Sequence, residues 1–243
     1  MKIDVRLAST LAMALPSSRH GAATMNLFGD LTGQGDKLTA QKPYERPLLP
    51  GLVKSEPKTY MLQEKLFSLS GEDFRVKDVA GEEVITVEGF NVNIGGIVVD
   101  KLGMKDESGT KFCSVERRIV AASTCYDIYH DGELIAKIER EWLSMTPKYQ
   151  WYYEGDDNPF GDFYAEGSFS DRMYTFKSPG GAETIARVRR GEEVFKDVDN
   201  YEVDVAAGAD AAAIIAMAIV IDEDHDEADA KKEKEEGGMW PFG

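Results

Sequence analysis

Short runs of alternating apolar and polar residues fill the middle of the chain. Most are about 4–8 residues long, the usual length of a β-strand, and turn-forming residues separate them. The pattern therefore predicts a mostly β protein. The runs are Tyr60–Lys65, Phe74–Asp78, Glu83–Val87, Phe90–Ile94, Ile97–Asp100, Thr110–Arg117, Cys125–His130, Glu133–Arg140, Gln150–Tyr153, Phe163–Ser168, Arg172–Lys177, Thr184–Arg189 and Tyr201–Val205.

The connections between these runs carry the chemistry of hairpin turns. The segments DVAGEE, HDGE and SPGGAE each place glycine where a hairpin needs a positive φ. Connections this short force neighbouring strands to be antiparallel. About a dozen strands in this order predict a meander that closes into a barrel or stacks as a sandwich.

The alternating pattern stops before the C-terminus and gives way to an uninterrupted apolar segment. Gly208–Ala209–Asp210 breaks the last strand, and Asp210 is a favourable N-cap residue. Ala211–Ile221 follows with five alanines and no polar residue, which predicts a helix that is apolar on every face. We expect Asp222 and the acids after it to mark the return of the chain to solvent.

The length of this helix indicates what surrounds it. Eleven apolar residues span about 17 Å, whereas a bilayer core requires about 20 residues and about 30 Å. We therefore expect a core helix and no transmembrane span. The fold class predicted is mainly β (α+β), a closed antiparallel barrel of about 12 strands around a central C-terminal apolar α-helix. The residues expected to fill its interior are Ile214, Ile215, Met217, Ile219 and Ile221.

The two ends of the chain differ in composition from the strand region. Residues 1–58 are interpreted as a presequence-like segment and an extended arm, 59–226 as the barrel domain and 227–243 as a charged tail. The first 25 residues fit either a cleaved targeting presequence or a plain disordered tail. The protein is accordingly expected to be intracellular, directed to an organelle such as a plastid in the first case and cytoplasmic in the second. The candidate docking residues in the ends are Leu27, Phe28, Met239, Trp240 and Phe242.

The charge of the chain restricts its partners. The net charge is −16 at pH 7, which disfavours nucleic acid and general attraction to anionic lipid. Cys113 and Cys125 are too few for a disulfide framework or a zinc set, so free, partly buried thiols are expected, with a single disulfide as the alternative. We find no catalytic constellation in the sequence, and we expect no enzyme activity, no cofactor and no metal site.

The C-terminal segment YEVDVAAGADAAAIIAMAIVIDED resembles the signature of the LURP-one-related proteins. The features shared are a strand tyrosine, an acidic–valine pair, a Gly-x-Asp step, a long aliphatic helix and an Asp–Glu pair. EKLFSLSGEDFRVKDVAGEEVITVEG looks like the opening strands of that family, and IYHDGELIAKIERE fits its middle. The resemblance covers about residues 59–226 and implies the tubby C-terminal-like barrel, which the phospholipid scramblases share.

The resemblance suggests one specific surface. Tubby proteins bind phosphoinositide headgroups through basic residues outside the barrel, and the candidate residues here are Arg117, Arg118, Arg187, Arg189 and Arg190. Two functions remain open. The first is a non-enzymatic binding or scaffold module that contacts a protein partner through its surface and terminal arms. The alternative is a peripheral lipid-headgroup binder, which requires these arginines to form one uncompensated patch.

Overall fold

A computed structural model describes residues 37–64, 73–94, 97–118, 124–141, 148–155, 159–169, 171–190 and 200–237. The strands are β1 Lys58–Glu64, β2 Phe74–Asp78, β3 Glu83–Ile94, β4 Ile97–Asp106, β5 Lys111–Arg117, β6 Cys125–His130, β7 Glu133–Glu141, β8 Lys148–Tyr153, β9 Phe163–Ser168, β10 Met173–Lys177, β11 Thr184–Arg190 and β12 Asn200–Val205. A short 3-10 turn, Pro50–Leu52, precedes them, and one helix, α1 Ala211–Gly237, follows.

The twelve strands form a closed antiparallel barrel. Each strand pairs with the next in sequence, and β12 returns to pair with β1 from Lys58↔Val205 to Gln63↔Asn200. The predicted barrel is therefore confirmed, and the sandwich alternative is excluded because the first and last strands are neighbours. Closure leaves neither of these strands with an open edge along the paired residues.

Two of the predicted strands are one strand in the structure. The runs Glu83–Val87 and Phe90–Ile94 belong to β3, which is twelve residues long. The expected break at Glu88 and Gly89 does not occur, because both residues stay in register with β4, opposite Gly103 and Leu102. A glycine inside a strand weakens pairing without ending it when the neighbouring strand continues.

The helix α1 begins where the sequence predicts, and its first eleven residues are buried on every side. Every residue from Ala211 to Ile221 is at most 1% exposed, including the predicted interior residues Ile214, Ile215, Met217, Ile219 and Ile221. Beyond Ile221 the helix continues to Gly237 through a charged stretch that includes five glutamates and three lysines, which favour helix. Within the residues described, no helix combines the length and apolarity needed to cross a membrane.

Large inward side chains on one part of the wall match the small residues of the helix. Trp151 of β8 stacks on Phe163 of β9 with ring centroids 5.5 Å apart, and Phe163 meets Phe176 of β10 at 6.2 Å. All three rings are at most 5% exposed. The five alanines of Ala211–Ile221 leave space for such rings, so wall and helix together fill the interior.

Replacing Ile215 by aspartate should unfold the barrel. Ile215 is fully buried, and an unpaired buried charge costs several kcal/mol, a large part of the stability of a typical domain. Thermal unfolding followed by circular dichroism measures the effect. The matched control, Ile215→Val, removes one methylene and should cost about 0.5–1.5 kcal/mol. A soluble Ile215→Asp protein with unchanged melting would contradict the burial of the helix.

Candidate functional site

Three buried aspartates mark the two ends of the buried part of α1. Asp210 precedes the first residue of the helix and is 6% exposed. Asp222 and Asp224 follow the apolar stretch and are 8% and 5% exposed. Buried carboxylates require donors, and the donors identify the segments that meet at each end of the barrel.

Asp210 joins three parts of the chain. Its Oδ1 accepts from the backbone N–H of Ala213 (3.2 Å), which is the N-cap interaction predicted from the sequence. Its Oδ2 accepts from the hydroxyl of Tyr153 on β8 (2.9 Å) and from the backbone N–H of Leu48 (2.7 Å). Burial raises the pKa of Asp210 even though these donors act in the opposite direction. The carboxylate thus connects the helix, the wall and the N-terminal segment.

Residues 37–54, here called the strap, lie across the barrel mouth, the end of the barrel at which α1 begins. Thr39 N–H donates to the carbonyl of Thr184 (2.8 Å), and Gln41 N–H donates to that of Ala207 (2.7 Å). The Tyr44 ring stacks on the Tyr153 ring, with centroids 3.8 Å apart and planes 13° from parallel. The strap therefore packs on the domain, although the sequence interpretation placed residues 1–58 in an arm outside it.

Two leucines of the strap reach the hydrophobic core. Leu48 is 7% exposed and Leu52 is 8% exposed, and both belong to the core cluster. The sequence did not reveal them, because two leucines four residues apart among prolines show neither strand nor helix periodicity.

Gly208 is required where the strap crosses the end of β12. Its φ is +76°, and a Cβ built on it would lie 2.0 Å from the carbonyl oxygen of Gln41. Gly208 N–H also donates to the carbonyl of Lys54 (2.8 Å), at the end of the strap. The Gly-x-Asp step of the sequence thus combines close backbone approach at Gly208 with a buried acceptor at Asp210.

Asp222 and Asp224 are paired inside the barrel, which corrects the expectation that Asp222 marks the return of the chain to solvent. Asp224 accepts from Arg140 Nη1 of β7 (2.8 Å), from the Tyr149 hydroxyl of β8 (2.5 Å) and from Thr124 Oγ1 (3.0 Å). Asp222 accepts from Arg172 Nε (2.8 Å) in the turn before β10. Burial, and then the Asp224 carboxylate, raises the pKa of Tyr149 well above its usual range.

These carboxylates are positioned as structural anchors. Each accepts hydrogen bonds from wall residues distant in sequence, which fixes the axial position of the helix in the barrel. Within the ranges that the structure describes, no group of three or more His, Cys, Asp or Glu side chains could hold a metal ion. Cys113 and Cys125 are buried free thiols, as the sequence predicted.

The candidate headgroup arginines do not form one patch. Arg117 ends β5 and Arg118 follows it, whereas Arg187, Arg189 and Arg190 belong to β11. Strands β6 to β10 separate these groups in one direction around the barrel, and β4 to β1 with β12 separate them in the other. The two groups therefore lie on opposite sides of the barrel.

Acids on neighbouring strands accompany both groups of arginines. Arg189 contacts Glu202 (2.6 Å) and Asp204 (3.1 Å) of β12, and Arg118 forms an ion pair with Asp127 of β6. The sequence could not show this compensation, because strand register decides which outward charges meet.

Lysines on other parts of the outer wall are also paired with glutamates on neighbouring strands. Glu166 of β9 lies between Lys148 of β8 (3.5 Å) and Lys177 of β10 (2.7 Å). On the far side, Lys101 of β4 contacts Glu116 of β5 (2.8 Å). The described outer surface thus carries cross-strand ion pairs on both sides of the barrel.

The predicted docking residues Leu27, Phe28, Met239, Trp240 and Phe242 lie outside the described residues, as does the presequence-like segment. They remain predictions of the sequence.

The closed twelve-stranded barrel around a buried C-terminal helix defines the class of the protein as a tubby-like barrel. The family model of the LURP-one-related proteins matches residues 58–222, from the first strand to Asp222. The chain belongs to the LURP-one-related family, as the resemblance in its sequence indicated.

Two individual proteins are similar to the chain. An uncharacterized protein, YxjI, of Bacillus subtilis (strain 168) is 26% identical over 100 residues, which are 39% of this chain and 59% of that protein. The match thus spans about three fifths of the relative. An X-ray structure of a protein from Arabidopsis thaliana superposes with a TM-score of 0.56 at 18% identity, covering 75% of this chain and 99% of that one. At this identity the likeness shows the fold.

Gly208→Ala should destabilise the protein much more than Gly81→Ala. Both glycines have positive φ, +76° and +85°, but a Cβ at Gly81 meets nothing within 4 Å. Gly81→Ala therefore adds only backbone strain of about 1–2 kcal/mol, whereas Gly208→Ala must also displace the strap. Equal melting temperatures for the two variants would show that the strap does not pack against Gly208 in solution.

Proposed function

We propose that the chain is a non-enzymatic binding module that contacts a protein partner through the outside of its barrel and its terminal segments. The observation that carries the proposal is the filling of the interior by Ala211–Ile221, each residue at most 1% exposed. Barrels wide enough to enclose a helix can instead hold a ligand in the same place. Here the chain's own side chains take that place, so the outer surface and the ends are the natural contact regions.

Two buried tyrosines and a buried cysteine support a structural role for the part of the interior that they occupy. The pKa values of Tyr174 and Tyr201 are raised well above the ordinary range, first by burial and next by the nearby Asp222. Burial also raises the pKa of the Cys113 thiol. Catalytic groups more often have pKa values moved toward neutrality, which suits proton transfer. These shifts move away from neutrality and keep the groups protonated.

Tyrosines on the outer wall support the contact role of the surface. Lys137 Nζ lies 4.7 Å from the ring centroid of Tyr152 on β8, and Lys148 Nζ lies 4.8 Å from that of Tyr164 on β9. Tyrosine is enriched in protein interfaces because a rigid ring and a hydroxyl occupy one side chain. Tyr152 and Tyr164, with Lys137 and Lys148 over their rings, are called the tyrosine wall. They provide partly exposed aromatic surface beside lysines that are paired with glutamates.

The size of the native complex tests this proposal. We expect the full-length chain, tagged and purified under native conditions from its source, to elute in a complex larger than the free protein. The first test variant combines Tyr152→Ala and Tyr164→Ala, and the second deletes residues 238–243. Thr86→Ala on β3, on the opposite side of the barrel, is the control. Exposed cation–π pairs contribute only about 0.5–1 kcal/mol, so melting should change little.

Loss of the complex in either test variant, with melting unchanged and Thr86→Ala normal, supports binding through the wall or the tail. The proposed function is contradicted if the full-length chain elutes at its own mass and chemical crosslinking before purification attaches no other protein to it.

Peripheral binding of a lipid headgroup is the alternative, and the ion pairs at Arg118 and Arg189 disfavour it. We expect liposomes that contain phosphoinositide to retain the protein no better at low salt than neutral liposomes do, because the acids on β6 and β12 oppose a phosphate. Sedimentation with liposomes measures retention. The lipid function would instead be established if retention falls with salt and with the triple variant Arg187→Ala, Arg189→Ala and Arg190→Ala. The control Lys101→Ala should then leave retention unchanged.

A further inference from the structure

The strap alternates between residues that contact the barrel and residues that are exposed to solvent, and its half-buried Leu38, Tyr44 and Leu49 also pack against the core. Of its residues 37–54, only Leu48 and Leu52 are buried, while exposed residues such as Lys42, Glu45 and Arg46 separate the anchors. Three prolines, at positions 43, 47 and 50, have no N–H and cannot donate to a strand ladder. The strap therefore binds as a peptide does, through separate side chains and single hydrogen bonds.

An exposed connection joins the strap to the barrel. Residues 54–58, which include Pro57, are all exposed and lead from the strap into β1. The pairing of β1 with β12 and with β2 uses residues 58–64, beyond this connection. The strands that close the barrel thus make their ladder hydrogen bonds without the strap.

The barrel mouth offers the strap three kinds of contact. The Asp210 carboxylate accepts a peptide N–H, the Tyr153 ring stacks against an aromatic side chain, and Gly208 lets the peptide backbone pass close to the wall. The strap supplies the matching pattern of an aromatic residue at Tyr44 followed by leucines at Leu48 and Leu52, each four residues further on.

We propose that the barrel mouth around Asp210 is a peptide-binding groove, that residues 37–54 occupy it in cis, and that they leave it while the barrel stays folded. The ligand class is a peptide with an aromatic residue followed by leucine at the fourth and eighth positions after it. With the strap detached, Asp210 retains its donors from Ala213 and Tyr153. The groove exists whether or not the outer wall binds a partner.

Hydrogen exchange of the full-length chain tests detachment without altering the fold. The amides of Gln41 and Leu48 donate to the barrel, and we expect both to exchange at least about tenfold faster than the paired amides of β12. Leu52→Ala should accelerate both by about tenfold more, because loss of a buried leucine weakens docking. Glu45→Ala, at an exposed position, should leave both rates unchanged. Exchange of the strap amides at the rate of global unfolding in every variant would overturn the proposal.

Cleavage of the connection tests exchange of the peptide. A specific protease site placed between Ser55 and Glu56 of the full-length chain allows the strap to be cut after folding. We expect the cut strap to dissociate on dilution while the β-type circular dichroism persists. A labelled peptide of residues 37–54 should then bind the cut protein saturably and the uncut protein much more weakly.

Matched peptides define the recognition. Leu48→Ala with Leu52→Ala in the peptide should weaken binding at least about tenfold, whereas Glu45→Ala should bind like the parent peptide. Precipitation of the cut barrel, or a parent peptide that fails to bind it, would show that the strap is a fixed part of the fold. Either result would overturn the groove while leaving the outer-wall proposal to its own test.

Discussion

The fold depends on one constraint, which is that a helix without a polar face must be surrounded by apolar side chains on all sides. The chain meets it with a wall of twelve strands closed by the pairing of β1 with β12. The pairing of β1 with β12 therefore joins the first and last strands of the chain, and the helix that fills the interior follows both in sequence. Such long-range closure makes folding slow and favours late, cooperative completion of the core.

The two ends of the buried part of the helix are a second constraint, because both place aspartate carboxylates inside the barrel. Asp210 satisfies one end by accepting from Ala213, Tyr153 and Leu48. Asp222 and Asp224 secure the other end through Arg172 and Arg140. Breaking a buried ion pair is costly because it leaves a charge unpaired. The three aspartates thus specify where the apolar part of the helix lies along the barrel axis.

The sequence predicted the elements well because strands and helix have distinct periodicities and the hairpins have distinct turn residues. It also predicted the residues that fill the interior. The sequence did not predict the surroundings of side chains whose contacts lie far away along the chain. Asp222 and Asp224 were expected in solvent because their arginine partners are 50 and 84 residues away. The sequence left open whether the arginines form one patch, because only strand order shows that β5 and β11 lie opposite each other.

The proposed detachment of the strap would change the contacts of Asp210 and leave the strand pairing of the barrel intact. Its departure would remove the Leu48 N–H from Asp210 and leave that buried carboxylate with fewer donors, at a cost of about 1–3 kcal/mol. Loss of the leucine contacts adds to this cost, but the ladder between β1 and β12 and the packing of Ala211–Ile221 are retained. Asp210 would still accept from Ala213 and Tyr153, so the proposed opening of the mouth would leave the helix cap in place.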